Sequence, residues 1–173
     1  MALKQSMLRN YASSKIASKK SSVIVNEALN RNRQTAFLSH SHKDATLAKA
    51  VQSFLQSNNW EVYIDWQDQI MPEEPDRQTA SRIQNRIKEL DWFLFLATDN
   101  SMKSRWCPWE IGYADGIKNI DEILIIPTED DYGSSFGNEY LQLYQEIGPA
   151  KGGGYGVFPP NRKGMLLEKM TVR

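Results

Sequence analysis

Residues 35–57 read TAFLSHSHKDATLAKAVQSFLQS, a short and nearly continuous apolar run followed at once by a longer amphipathic one. In the second part Ala48, Val51, Phe54 and Leu55 fall on one helical face, so the stretch is a strand feeding a helix. The pattern repeats outward. EVYIDW (61–66) reads as a second strand, QTASRIQNRIKEL (78–90) as a second helix and DWFLFLAT (91–98) as a third strand. SRWCPWEIGYADGIK (104–118) supplies a third helix and EILIIP (122–127) a fourth strand. Strands that are apolar on both faces and alternate with helices predict a parallel sheet covered on both sides. Beyond Pro127, LQLYQEIG (141–148) reads as helix, GVFPP (156–160) as a fifth strand ended by prolines, and RKGMLLEKM (162–170) as a final helix.

With 173 residues, 40% of them hydrophobic, the chain supplies one ordinary core and a short extension. Lys+Arg and Asp+Glu are both 21, which gives no general case for nucleic acid or an anionic membrane as partner. The charge is nevertheless uneven: residues 1–33 carry net +6 and residues 34–173 net −6, so arm and body attract. The organisation expected is a basic N-terminal helical arm over 1–33 and one domain over 34–173. Leu3, Met7 and Tyr11, and later Ile24, Ala28 and Leu29, give the arm a broken apolar stripe. That stripe suits packing on its own domain or on a copy of it, with a membrane surface or nucleic acid as the other readings. Cys107 is the single cysteine and excludes an intramolecular disulfide, which suits a reducing compartment. Cytoplasm is the expectation: no apolar run approaches the roughly 20 residues of a membrane span. The basic, Ser-rich start lacks a secretory core, although its composition also fits an organellar transit peptide.

In open parallel sheets, ligands bind beyond the carboxyl ends of the strands. The sequence places Ser39-His40-Ser41-His42-Lys43-Asp44 after the first strand, Asp65-Trp66 and an acidic, Pro-bearing loop after the second, and Thr98 to Ser101 after the third. Ser41 and Asp44 have capping-box spacing. In the third helix Trp106 and Glu110 are four residues apart and share a face, with Pro108 tolerated in the first turn. A carboxylate close to the helix start is kept ionised by the dipole, so Gln in its place is expected to leave stability nearly unchanged. An ionised carboxylate beside an indole suits a planar, cationic ligand. The competing reading makes Trp106 and Trp109 core indoles and Glu110 a partner of the dipole.

Taken together, FLSHSHKDATLA, VYIDW, FLFLAT and SRWCPWEIGYA resemble the TIR (Toll/interleukin-1 receptor) domain family, and more closely its bacterial members. Ser104, Trp106, Cys107 and Glu110 form the most specific element, and the likeness runs from about Ala36 to Pro127. The resemblance implies a flavodoxin-like α/β fold with a five-stranded parallel sheet and helices on both faces. It implies an NAD+ nucleosidase that cleaves the nicotinamide–ribose bond to give ADP-ribose or a cyclic ADP-ribose signal, as in bacterial antiphage immunity. NAD+ is then substrate and no cofactor is required. Glu110 matches the catalytic glutamate and Trp106 the aromatic wall of the nicotinamide pocket. Ser39, Ser41, Lys43, Asp44, Trp66 and Ser104 are the further candidate substrate contacts. Gln67–Arg77 matches the BB loop, which reaches a neighbouring copy in assembled TIR domains. Its Met71, Pro72, Glu73 and Pro75 are therefore candidate assembly contacts in a homo-oligomer. The glycine common in such loops is absent, which leaves the far side of a composite site open. A downstream effector reading the nucleotide is a further implied partner; nucleic acid, membrane and metal are not.

Rival readings are a non-catalytic TIR adaptor acting by self-assembly, and a nucleoside deoxyribosyltransferase-like enzyme using a carboxylate nucleophile. Adaptors commonly lack the glutamate that stands here at 110. His40-Ser41-His42 has H-x-H spacing but no cysteine close by in sequence, which argues against zinc. KGGGYG (151–156) lacks the G-K-[ST] ending of a phosphate loop and reads as a turn. Cys107 reads as a small buried residue, since no histidine has a sequence-evident reason to approach it.

Overall fold

The structure is a computed structural model and describes residues 2–12, 34–65, 76–137, 139–161 and 163–170. In chain order, β1 (Leu3–Lys4) leads into α1 (Gln5–Ala12), and β2 (Gln34–Ser39) into α2 (Ala45–Gln56). There follow β3 (Trp60–Tyr63), α3 (Arg77–Glu89), β4 (Trp92–Ala97), the single turn α4 (Asp99–Met102) and α5 (Trp106–Ile117). β5 (Ile123–Glu129), β6 (Ser135–Phe136), β7 (Gln145–Pro149), β8 (Tyr155–Phe158) and β9 (Met165–Leu166) complete the chain.

The sheet runs β3-β2-β4-β5-β7 in parallel and is continued by antiparallel β8 and β9. Ala36 lies opposite both Val62 and Trp92, and Leu94 opposite Leu124. The two-residue period of a strand divides the apolar runs between two cores. Ala36, Leu38, Leu94, Leu96 and Leu124 point to the face covered by α1 and α2, where Leu8, Val51 and Phe54 are buried. Phe37, Phe93, Phe95, Ile123 and Ile125 point to the face covered by α3 and α5, against Ile87, Ile111 and Ala114. Phe37 stacks between Tyr63 and Phe93 at centroid distances of 5.8 and 5.9 Å. The doubly covered parallel sheet expected from the alternation is therefore present. No described helix is long and apolar enough to cross a membrane.

The segments after Pro127 differ from the sequence reading. The fifth parallel strand is β7, inside the stretch read as helix, and only residues 139–143 before it make a 3₁₀ turn. Leu141 and Tyr144 have helical spacing, but the turn already buries both, and the free edge of β5 takes the following backbone as a strand. The GVFPP strand exists as β8, yet it runs antiparallel to β7 because the two are joined by a hairpin. Its turn is KGGGYG, where Gly153 and Gly154 have φ of +92° and +73°, values that favour glycine. The final segment forms β9 and a 3₁₀ turn over Leu167–Lys169 rather than an α-helix. There the carbonyl of Leu167 accepts from Trp60 Nε1 at 3.3 Å, a tertiary bond that no local pattern announces.

The start of the arm is built into the body. Leu3 lies opposite Thr128 in a parallel pairing with the end of β5, and Gln5 Nε2 donates to Thr128 Oγ1 at 3.0 Å. Tyr11 meets Phe54 edge to face at 5.2 Å. Arg9 pairs with Asp131 at 3.0 Å, an exposed contact of the sign the charge asymmetry suggested and worth about 0–1 kcal/mol. The second half of the stripe, Ile24, Ala28 and Leu29, lies outside the described residues.

Leu8 is fully buried against α2. Leu8→Ala is expected to lower the unfolding free energy by about 2–5 kcal/mol in a denaturant titration. A change within about 0.5 kcal/mol would mean that α1 is a detachable arm.

Candidate active site

The carboxyl ends of β2, β3 and β4 and the start of α5 converge at one edge of the sheet. Ser104 begins α5 by accepting the backbone N–H groups of Trp106 and Cys107 at 3.2 and 3.4 Å. Its hydroxyl, expected at the substrate, is engaged with the helix start. Pro108 is the third helical residue, where an N–H would have no intrahelical acceptor. Glu110 is the fifth residue of α5, one step beyond the first turn, so the dipole acts on it more weakly than the sequence reading assumed.

Glu110 is 4% exposed and its Oε2 accepts a 2.5 Å hydrogen bond from Ser39 Oγ. Burial pushes its carboxyl up to about 8, the nearby Asp65 carboxylate adds to the rise, and the Ser39 bond opposes both. Enclosure thus works against the helix dipole that was expected to keep this carboxylate ionised. Cys107 is buried beside it, its thiol pushed up to about 12 by enclosure and by the Glu110 charge, which disfavours the thiolate.

Trp106 is half-buried against the α3–α5 core, and its ring meets that of Trp109 edge to face at 5.3 Å. Trp109 is 37% exposed and stacks on Tyr113 at 6.2 Å. Neither indole is the core residue of the competing reading. Part of each remains at the surface, on the helix that carries Glu110.

The loop after β2 serves several purposes. Asp44 accepts from Thr98 Oγ1 at 2.6 Å and from Asn100 Nδ2 at 2.7 Å, pinning this loop to the start of α4. Both carboxylate oxygens are engaged there, so Asp44 is placed as a brace between two loops. The capping box expected of Ser41 and Asp44 does not form. Ser41 Oγ accepts from the backbone of Lys43 at 3.4 Å, while the Asp44 carboxylate is drawn to the stronger donors across the loop. Lys43 is exposed and Ser41 buried. Ser39, expected from the sequence as a substrate contact, is enclosed at 1% exposure with its hydroxyl on Glu110. Trp66 and the loop residues Met71, Pro72, Glu73 and Pro75 lie outside the described residues.

His40 and Asp65, which the sequence placed beyond the strand ends without a role, also lie at this edge. The His40 ring is buried, with Nδ1–H donating to the Leu38 carbonyl at 3.1 Å. Burial lowers its pKa, against an opposing pull from Asp65. The signal in the sequence is position: His40 follows directly on β2 and Asp65 lies two residues beyond β3. Tyr140, from the 3₁₀ turn, has its phenol raised by burial and by Cys107. Among the described residues, no three of His, Cys, Asp and Glu are grouped to hold a metal ion.

A family model described as TIR domain matches residues 36–145. Similar proteins include a probable 3′ cyclic ADP-D-ribose synthase ThsB′ of Bacillus cereus (strain MSX-D12), 35% identical over 120 residues, which are 67% of this chain and 60% of that relative. Another is a putative cyclic ADP-D-ribose synthase TIR2 of Cytobacillus dafuensis, 28% identical over 92 residues, or 51% of this chain and 24% of the relative. The chain therefore spans less than two thirds of the length of either.

The raised Glu110 carboxyl has a consequence for stability. From an ordinary carboxyl value of 4.5 up to about 8, the unfolded chain has lost this proton while the fold retains it. Stability therefore falls as pH rises through that window and levels above it. Glu110→Gln is expected to raise the melting temperature, little at pH 4 and most at pH 8 and above, by up to several kcal/mol in free energy. Equal melting temperatures at pH 8 would restore the ionised, dipole-held carboxylate.

Proposed function

The chain belongs to the TIR domain family, and from that premise we propose that it cleaves the nicotinamide–ribose bond of NAD+. The products are nicotinamide and either ADP-ribose or a cyclic ADP-ribose. The observation that carries the reading is Glu110, a buried carboxyl at the binding edge of the sheet, held by Ser39 and four residues from a half-exposed indole. The names of the two relatives support the cyclising branch.

Nicotinamide in NAD+ is a pyridinium cation and leaves as a neutral molecule. As the bond from ribose C1′ breaks, both electrons go to the ring nitrogen and the positive charge passes to the sugar. No strong general acid is needed. The demand is for negative charge beside the oxocarbenium-like sugar, which the Glu110 carboxylate supplies by Coulomb attraction and by accepting from ribose hydroxyls. Trp106, half-buried, stacks on the pyridinium in this reading, a contact worth about 0.5–2 kcal/mol. Water adding to C1′ gives ADP-ribose and releases a proton. Where water is excluded, a hydroxyl or an adenine nitrogen of the same molecule closes the ring.

A carboxyl with a pKa of about 8 suits a cationic substrate. Alone it holds a proton and spares the fold a buried charge; the arriving pyridinium favours the ionised form and expels the proton. The role extends to a soluble cytoplasmic protein of antiphage immunity whose nucleotide product is read by a separate effector. Self-association through the 67–77 loop completes the site.

Nicotinamide release from NAD+ at high protein concentration, with a Glu110→Gln control and chromatography of the nucleotide, tests the reading. Release lost in the control supports the enzyme; no release even from assembled protein leaves the adaptor. In the wild type, kcat/KM is expected to fall as pH drops through about 8, because the required carboxylate is protonated there. Trp106→Ala is expected to lower turnover and change the cyclic-to-linear ratio, whereas an unchanged product profile would remove the indole from the site. Specific activity should decline on dilution. Turnover strictly proportional to protein down to the monomer would defeat the composite site.

A further inference from the structure

Ser39 is the last residue of β2 and is 1% exposed. Its hydroxyl acts inward. It donates to Glu110 Oε2 at 2.5 Å, and Cys107 is buried on the same helix three residues before Glu110. Cys107 and Glu110 sit on successive turns of α5, so one buried hydroxyl ties the end of the central strand to the helix that carries the carboxyl. A short hydroxyl–carboxylate bond belongs to the strong, charge-assisted class and is directional. Glutamate has three side-chain torsions to fix, and a bond from a rigid strand end selects one setting of them.

We propose that Ser39 is a positioning residue, holding Oε2 of Glu110 so that Oε1 is the oxygen offered to the substrate ribose. The assignment rests on the NAD+ reading above. It replaces the substrate-contact role that the sequence suggested for Ser39. Two other groups interact with Glu110: Asp65, from just beyond β3, and Cys107, from α5 itself. His40, from just beyond β2, interacts in turn with Asp65, and Tyr140, from the turn before β7, with Cys107. Asp65 and burial favour the protonated carboxyl, and the Ser39 hydroxyl is the group that favours the ionised one. Without it, Glu110 is both less ionised and freer to turn.

The test compares wild type with Ser39→Ala and Ser39→Thr, using glutamate labelled with carbon-13 at the side-chain carboxyl. Glu110→Gln identifies the Glu110 resonance. In Ser39→Ala the Glu110 titration midpoint is expected to move up from about 8, and the acid limb of the kcat/KM profile with it. kcat at neutral pH should fall about tenfold, with KM within about twofold of wild type. Ser39→Thr, which keeps the hydroxyl, should restore midpoint and kcat together. An unmoved midpoint overturns the proposal, as does a loss confined to KM, the mark of a lost substrate contact. If the wild type releases no nicotinamide, the NAD+ reading fails. The titration still decides whether Ser39 holds the carboxyl, because it requires no turnover.

Discussion

A parallel sheet whose strands are apolar on both faces has to be covered twice, and the remaining architecture follows from meeting that requirement. β4, Trp92–Ala97, is buried along its whole length, so its alternate residues need helices on opposite sides. Parallel neighbours also need crossovers, and those from β2 to β5 are where α2, α3 and α5 are laid over the two faces. Every strand of the parallel set then delivers its carboxyl end to the same edge. Loops collect at that edge because nothing else is free to fill it. The candidate site is where Ser39 ends β2, Asp65 and Thr98 follow on β3 and β4, and α5 begins beside them.

Within that edge the governing term is the cost of enclosing a charge. Glu110 is surrounded by the packing that covers the sheet, with Cys107 and Ile111 as its helical neighbours. Its hydroxyl partner offsets part of the desolvation, while the nearby Asp65 makes ionisation harder still. A group in this setting is poorly placed to stabilise the fold and well placed to answer an incoming cation. Stability is given up locally at the position where chemistry is expected, and the rigid strand end holds the geometry.

The loops are braced rather than loose. Asp44 ties the segment after β2 to Thr98 and Asn100, and Thr98 in turn caps α4 with Ser101. At the carboxyl end of β5, β1 pairs with the sheet, and Thr128 Oγ1 both accepts from Gln5 and donates to the Ala97 carbonyl. The first residues of the chain thereby share a hydrogen-bond path with the end of the central strand.

The alternation of apolar runs and helical stripes from Thr35 to Pro127 determined the sheet, its parallel sense and its two covers, because two-sided burial leaves its mark on every residue of a strand. The motif at Ser104–Glu110 determined the family and the carboxyl. What followed Pro127 was not legible. Gln145–Pro149 is a strand only because β5 offers it an edge, and Leu167 is placed by the indole of Trp60, more than a hundred residues away in sequence. Nor was the charge state of Glu110. Position in the helix suggested an ionised group, but ionisation depends on what encloses the carboxyl from β2, β3 and α5 together. Composition does not encode that enclosure; only the packed tertiary structure decides it.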